Sequence, residues 1–381
     1  MLPQEAFIDC RLGSNPYGPP VALDSVQLQL DASNYLKPQA CDELAYSLGC
    51  FFDIDPSYLC LNGSSAQAIT TLFSRYLVPK DRVMFGLAPQ FVHAVNEWLY
   101  NGGRYKSIDI FGQPCINELS LADQFLSGLR EQEPDVVYID NPNNPTGHFF
   151  EINEIYEIVK ECKYQGIICI IDEAYIDFIA KEHSAIYLVP EFDNLIVLRS
   201  LSKGLGLAAL RIGFTVAQPQ LRNTLERIST PFPIATPSLF IAQHVFDHVD
   251  LETYLSKSAQ YTAGAKFQIV DTCNRYGLEV ATTHPHVPIF VVYSKLIAPY
   301  EFFKQIHIMT TKGSSFSTNF NGPTFTRLRV PQSERELHQL CDRIANAAQH
   351  TPEFHAESLD QQHVEHLVIH NTFHPSPQKI L

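Results

Sequence analysis

Basic residues are scarce in this 381-residue chain: 27 lysines and arginines stand against 41 aspartates and glutamates, a formal net charge of −14. An acidic excess of this size disfavours non-specific attraction to nucleic acid or anionic membranes, so no polyanionic partner is expected. Long apolar runs are also missing. No stretch of about 18 uninterrupted apolar residues occurs, and the opening "MLPQEAFIDCRLGSNPYG" has no basic segment followed by an apolar one. These absences point to a soluble, cytoplasmic protein. The nine cysteines never pair as C-x-x-C, which argues against a zinc ribbon and a disulfide framework and leaves most of them as small core hydrophobes. No internal repeat of fixed period is visible.

What is present is apolar sequence in alternating patterns. The segments "DVVYIDN" (135–141), "IICIIDEAY" (167–175), "LIVLRSLSK" (195–203) and "RIGFTVA" (211–217) read as strands buried on both faces. Between the first two, Ile155, Ile158, Val159 and Cys162 recur at helical spacing and Gly166 suits a stop. Strand, helix, strand in that order implies a parallel sheet with crossover helices, an α/β fold. Earlier, "NGSSAQAITTLFSRYL" turns from a loop into a helix with Ile69, Leu72, Phe73, Tyr76 and Leu77 on one face. From about residue 250 the pattern becomes helix, strands ("PIFVVYS", "FTRLRV") and a last helix opened by a Ser333/Glu336 capping box, a smaller α+β domain. The final thirty or so residues are polar, with His350, His355, His363, His366, His370 and His374. Their spacing alone supplies no metal site, and a solvated tail is expected.

Four local signals carry chemistry. "NPNNPTG" (141–147) follows a strand; it reads as a turn, or as a loop offering the Asn144 amide where open α/β sheets bind ligands. In "IIDEAYIDF", Asp172 follows two isoleucines and is expected to be buried, so it requires a cationic partner, either a structural arginine or lysine or a protonated ligand. Tyr175 lies three residues on. In "SLSKGLGLAALRIGF" (200–214), Lys203 at a strand end suits a Schiff base, and Arg211 with Ser200 and Ser202 suits a phosphate; the bland reading is a loop lysine and an ion-paired arginine. The helix start at Gly63, Ser64 and Ser65 offers free amides to an anion. Combined, an anion site, an aldehyde-reactive lysine, a buried carboxylate, and phenol and amide donors are what pyridoxal phosphate requires.

These motifs, together with "RLGSNPYGPP", "YLKPQ" and "FTRLRVPQSERE", resemble those of the class I/II aminotransferases, pyridoxal-phosphate enzymes of fold type I, and most of all the histidinol-phosphate aminotransferase group. The resemblance implies a large domain with a mostly parallel seven-stranded sheet between helices, plus a smaller α+β domain. It divides the chain into an N-terminal segment joining the small domain (1–35), a pyridoxal-phosphate domain (36–250), a small domain (251–349) and the tail (350–381). It gives Lys203 the covalent link to the cofactor and the proton transfer, Asp172 the pyridine nitrogen, and Tyr175 and Asn144 the ring's phenolic oxygen. Arg211, Ser200, Ser202 and the amides of Ser64 and Ser65 take the phosphate, joined by Tyr35 from a second subunit, which makes a homodimer the complete unit. Arg327 or Arg329, with Arg327 fitting the family pattern better, would bind the substrate carboxylate, and Asn15 and Tyr17 would border the substrate.

Two departures stand out. "PQFVHA" puts Ala94 where relatives have a tyrosine over the cofactor, so His93 or Phe91 is expected to stack there instead. "GSNPYG" replaces the more usual N-x-N-P, which alters the site entrance. The expected reaction is amino transfer between an amino acid or an amino-alcohol phosphate of the histidinol-phosphate kind and a 2-oxo acid. Its alternative is decarboxylation of a phosphorylated amino acid, as in threonine-phosphate decarboxylases. A non-enzymatic cofactor sensor fused to a DNA reader is disfavoured by the negative charge.

Overall fold

The computed structural model describes residues 6–20, 38–110, 119–316 and 322–349, so Tyr35 and the histidine-rich tail lie outside the described residues. Seven strands form the main sheet: β1 (Leu59–Asn62), β2 (Val83–Ala88), β3 (Arg104–Asp109), β4 (Val136–Asp140), β5 (Ile168–Asp172), β6 (Leu195–Ser200) and β7 (Gly213–Val216). Their spatial order is β1-β7-β6-β5-β4-β2-β3, and only β7 runs against the rest. Every residue of β2, β4, β6 and β7 is buried. That follows from covering both faces. Phe85, Val137, Ile139 and Ile171 pack into one apolar layer, while Met84, Tyr138, Ile170 and Leu198 pack into the other.

The parallel register has a direct consequence for function. Asp140 at the end of β4 lies beside Asp172 at the end of β5. Ser200, closing β6, pairs with Gly213. The carboxyl edge of the sheet therefore collects polar side chains where open α/β sheets receive ligands. Strand β7 is shorter than the sequence pattern, beginning at Gly213. Arg211 instead caps a 3-10 turn (Ala208–Leu210) in the left-handed conformation, with φ 54°.

Helix α1 (Ser65–Thr71) continues as a π-helical turn over Leu72–Tyr76; Ile69, Leu72, Phe73 and Leu77 are buried and Tyr76 is half-buried. Helix α2 spans Val92–Tyr100, and helix α3, Ile152–Tyr164, buries Ile155, Ile158, Val159 and Cys162. The long α4 (Leu251–Arg275) leads to a second sheet of β8 (Glu279–Val280), β9 (Ile289–Tyr293), β10 (Thr311–Lys312) and β11 (Phe325–Arg329), ordered β10-β11-β9-β8. Its core joins Phe290, Val292 and Leu328 to Ile269 of α4 and to Leu340 and Ile344 of the last helix, α5 (Glu334–Gln349). The N-terminal stretch Ile8–Asp9 pairs in parallel with Ile308–Met309 of this region. Among the described residues no helix is long and apolar enough to cross a membrane.

A buried lysine pins the two sheets together. The Lys266 ammonium donates to Thr283 Oγ1 (2.6 Å) and to the carbonyls of His284 (2.9 Å), Val287 (2.7 Å) and Ile289 (3.1 Å). Burial pushes its pKa well below the lysine range, whereas four oxygens around one nitrogen oppose that by favouring the ammonium. The caged segment in turn docks on the loop after β4, since His284 N donates to Gly147 O at 2.8 Å. Gly147 is required there: at φ +74° a Cβ would meet Ile289 O at 2.5 Å. Lys266→Met removes a donor from four oxygens at similar volume, and we expect it to cost about 2–4 kcal/mol. The check is a thermal melt; a midpoint within about 1 °C of the parent would mean that the cage adds no stability.

Candidate active site

A cavity of about 200 Å³ opens at the carboxyl edge of the main sheet, and Ser65, Asn144, Asp172, Tyr175, Lys203 and Arg327 all line it. They come from five separate stretches of chain. A larger cavity, about 470 Å³, lies near Phe52, Arg199 and Leu255, away from this group.

Asp172, 2 % exposed, sits at the floor. Its carboxylate accepts from Tyr138 Oη at 2.8 Å and from the Ala174 amide at 3.1 Å. Burial raises its pKa to about 6, against which the Tyr138 and Ala174 hydrogen bonds and the charges of Lys203 and His93 pull it down. The next residue, Glu173, points elsewhere. With Asp177 and Ser184 it surrounds the buried Arg199 guanidinium, which lies 4.3 Å from the Phe52 ring centroid. That ion cluster anchors the chain leaving β5 and is separate from the cavity.

Lys203 projects over Tyr175, its nitrogen 5.4 Å from the ring centroid. The Tyr175 ring packs against Val287 and Ile289. Its hydroxyl approaches the backbone of Gly13 so closely that a Cβ there would fall 1.9 Å from the oxygen. Around the start of α1, Ser64 Oγ caps the helix by accepting from Gln67 N at 3.1 Å. Gly213 lets that start press against the sheet, since a Cβ would meet Ser65 N at 2.6 Å. Arg211 Nη1 donates to Ser202 Oγ at 3.3 Å, and Ser200 Oγ accepts from Ser202 N at 3.2 Å. Hydroxyls and a guanidinium thus lie near a buried helix start, an arrangement suited to an anion.

Arg327, 8 % exposed, is the cavity's second cation. Its Nη1 donates to Asn144 Oδ1 at 2.8 Å, its Nη2 to Thr311 Oγ1 at 3.2 Å and to the Arg11 carbonyl, and its guanidinium lies 5.1 Å from the Phe316 ring centroid. No carboxylate among the described residues pairs with it, and burial pulls its pKa down. A buried guanidinium without an acid is waiting for one.

Several expected residues are placed elsewhere. Arg329 faces away from the cavity, donating to the carbonyls of Asp9 and Val330 at 2.7 Å each, so it ties the N-terminal stretch to the small sheet. Asn15 is fully engaged by protein: it donates to Gly204 O (2.7 Å) and Tyr254 Oη (3.0 Å) and accepts from Ser258 Oγ and Tyr17 N (2.8 Å each). It fastens the loop after Lys203 and has no polar atom left for a substrate. Tyr17 packs against Tyr254 and Tyr261, with ring centroids 6.0 and 6.2 Å away. His93 is turned into the α1–α2 contact, 3.2 Å from Ala66 O and 3.3 Å from Thr70 Oγ1, and Phe91 lines the cavity in its place. Tyr138 and Asp140 escaped the sequence reading. Asp140 carried the same signal as Asp172, a carboxylate closing an apolar strand.

The raised pKa of Asp172 has a sign that can be tested. Its folded value of about 6 exceeds the ordinary 3.8, so the native state binds the extra proton and stability falls as pH rises from about 4 to about 6. Two units correspond to about 3 kcal/mol. Asp172→Asn should therefore stabilise the cofactor-free protein in denaturant titrations at about pH 8 and by little at about pH 4. A variant less stable than its parent at the higher pH would refute burial as the dominant influence.

Against known proteins, the model for "Aminotransferase class I and II" matches residues 12–344. Histidinol-phosphate aminotransferase 1 of Mannheimia succiniciproducens is 29% identical over 268 residues, 70% of each chain. The histidinol-phosphate aminotransferase of Blochmanniella floridana is 44% identical over 119 residues, 31% of this chain and 33% of its own. In fold, the chain is similar to the histidinol-phosphate aminotransferase of Sinorhizobium meliloti solved with pyridoxal-5'-phosphate (TM-score 0.77, 16% identity, 91% of this chain and 92% of the other). It is also similar to the L-threonine-O-3-phosphate decarboxylase of Porphyromonas gingivalis (TM-score 0.71, 16% identity, 90% and 99%). The family match spans both sheets and every residue that lines the cavity: the chain belongs to the class I and II aminotransferases.

Proposed function

We propose that this aminotransferase moves an amino group between a 2-oxo acid and either an amino acid or an amino-alcohol phosphate of the histidinol-phosphate kind. The observation that carries this reading is the presence of Lys203, Asp172 and Arg327 on one cavity: an amine, a buried acid and an unpaired guanidinium. Pyridoxal phosphate is the family's cofactor, and these residues fit it. Gly213 lets the α1 start lie against the sheet next to Ser200, with the hydrogen-bonded Ser202 and Arg211 close in sequence, donors that suit a phosphate. When bound, the cofactor supplies an aldehyde that captures amines and a ring that withdraws electrons.

The remaining work falls to the chain's own groups. Lys203 Nζ would hold the cofactor's aldehyde group and would serve as the general base toward the substrate α-carbon. Asp172 keeps the pyridine nitrogen protonated, and the charge it meets there offsets the desolvation that raises its pKa. Tyr175 and Asn144 donate to the phenolic oxygen. Ser65, Ser200, Ser202 and Arg211 hold the phosphate, with the helix start at Ser64. Arg327 receives the substrate's acidic group. Asn144, Thr311 and the Arg11 carbonyl brace its guanidinium, so a carboxylate held there would be fixed in place. We further propose a cytoplasmic homodimer in which Tyr35 of each chain completes the phosphate site of the other. Residues 36–250 form the cofactor domain, and 251–349 with the N-terminal segment the smaller one.

Mixing the purified yellow protein with L-glutamate alone, in a single turnover, should convert the visible band to the near-ultraviolet band of the aminated cofactor. Absence of conversion with glutamate, histidinol phosphate and other amino donors, with carbon dioxide released from phosphothreonine, would replace the proposal by decarboxylation. The two arginines separate cleanly. Arg327→Ala should raise KM for the acidic substrate by about 30- to 1000-fold, the range for stripping the partner of a buried charge. Arg329→Ala should lower the melting temperature and leave KM within about threefold, a loss of less than about 1 kcal/mol of binding. Steady-state kinetics on both variants decide between them, and an unchanged KM in Arg327→Ala would remove Arg327 from the substrate site.

A further inference from the structure

One carboxylate of the cavity has no role in the reaction described above. Asp140 closes β4, is 4 % exposed, and lies beside Asp172 on the neighbouring strand. It lines the same cavity as Lys203 and Arg327. Its Oδ2 accepts from the main-chain amides of Phe91 (3.1 Å) and Asn144 (2.8 Å), and its Oδ1 from the Asn143 side chain (2.9 Å). The two amides belong to different loops. One carries the aromatic ring on the cavity wall, and the other carries the side chain that braces Arg327.

A protonated carboxyl group has to donate its hydrogen, and Asp140 meets three donors. That pattern selects the ionised form. Burial works the other way, pushing its pKa to about 7, with the neighbouring Asp172 adding repulsion while the N–H groups of Asn144 and Asn143 pull it down. The remaining groups that face this pair are Tyr138 on β4, Tyr105 on β3, His93 on α2, and Lys203 and Arg327 on the cavity wall. Two carboxylates therefore confront Lys203, Arg327 and His93, of which Arg327 is committed to the substrate and His93 is hydrogen-bonded into the α1–α2 contact. The surplus negative charge falls on the lysine and its cofactor.

We propose that Asp140 is a positioning residue for the cofactor: it locks Phe91 and Asn144 around the ring and adds to Asp172 a second fixed negative charge that favours the protonated lysine–cofactor linkage. The proposal rests on pyridoxal phosphate being attached through Lys203 in this cavity.

The colour of the bound cofactor reports whether that linkage nitrogen carries a proton, and a nearby anion raises the pH at which the proton leaves. The test is an absorbance titration of full-length holoprotein from about pH 5 to about pH 10, comparing the parent with Asp140→Asn, Asp140→Ser and Asp140→Glu. The neutral variants should retain the visible band with a midpoint lowered by about one pH unit, a tenfold change in the equilibrium, while Asp140→Glu should stay near the parent. The pH profile of kcat/KM should move with the midpoint. An unmoved midpoint in Asp140→Asn, or an Asp140→Glu midpoint displaced as far as that of the neutral variants, would overturn the proposal. If neither neutral variant yields folded, cofactor-loaded protein, the residue is structural and the proposal falls. Lys203→Ala serves as the separate control: a visible band surviving at every pH in that variant would sink the attachment itself rather than the role of Asp140.

Discussion

The site depends on one electrostatic constraint: two carboxylates, Asp140 and Asp172, end adjacent parallel strands and are both buried. Like charges in a low dielectric are costly side by side, and each strand must supply donors to keep its acid there. Asp172 obtains a phenol from β4 and one amide. Asp140 obtains three N–H groups from two loops. Those donors dictate the shape of the loops, so the path of "NPNNPTG" and the placing of Phe91 follow from the need to solvate an acid without water. The cavity above the acids is lined by two cations, Lys203 and Arg327.

The N-terminal segment acts as the fastener between the parts. Gly13 passes over the Tyr175 hydroxyl, Asn15 ties the loop after Lys203 to Tyr254 and Ser258 of α4, and the Arg11 carbonyl supports the Arg327 guanidinium. Each contact joins residues some 160 to 320 positions apart, a long loop to close but a slowly growing entropic cost. The result is that Lys203, Tyr175 and Arg327 share one short stretch of backbone as a common reference, in which Gly13 is essential because the approach there leaves no space for a Cβ.

Much of this was legible in the sequence, for reasons that differ by residue. Asp172 and Lys203 stand out because a charge inside or directly after an apolar β-branched run needs an explanation, and the crossover helix between β4 and β5 announced itself by period. The alternation implied a parallel sheet with crossover helices, and the resemblance to the family supplied its seven strands. Asp140 carried the same mark as Asp172 but was read only as part of the strand "DVVYIDN". Tyr138 was hidden because a tyrosine in a buried strand looks like core; only the register between β4 and β5 shows its hydroxyl 2.8 Å from a carboxylate. Alternation placed Arg327 and Arg329 on one face but did not separate them. Their partners did, because the chain returning through Asp9 takes up Arg329 while the loop after β4 takes up one arm of Arg327. Asn15 resembled a substrate contact by motif, and its four bonds to protein groups exist only in three dimensions.

Arg327 also explains why the second sheet must be held at a fixed distance from the first. Its guanidinium contacts Thr311 of the small sheet and Asn144 of the loop after β4, so any relative shift of the two changes the bond to Asn144. The Lys266 cage opposes such a shift. It fixes residues 283–289 from behind, and that segment sits on Gly147, three residues beyond Asn144. A flexible hinge at this contact would let Arg327 and Asn144 part. The buried lysine on α4 thus makes the Arg327–Asn144 contact a property of the fold.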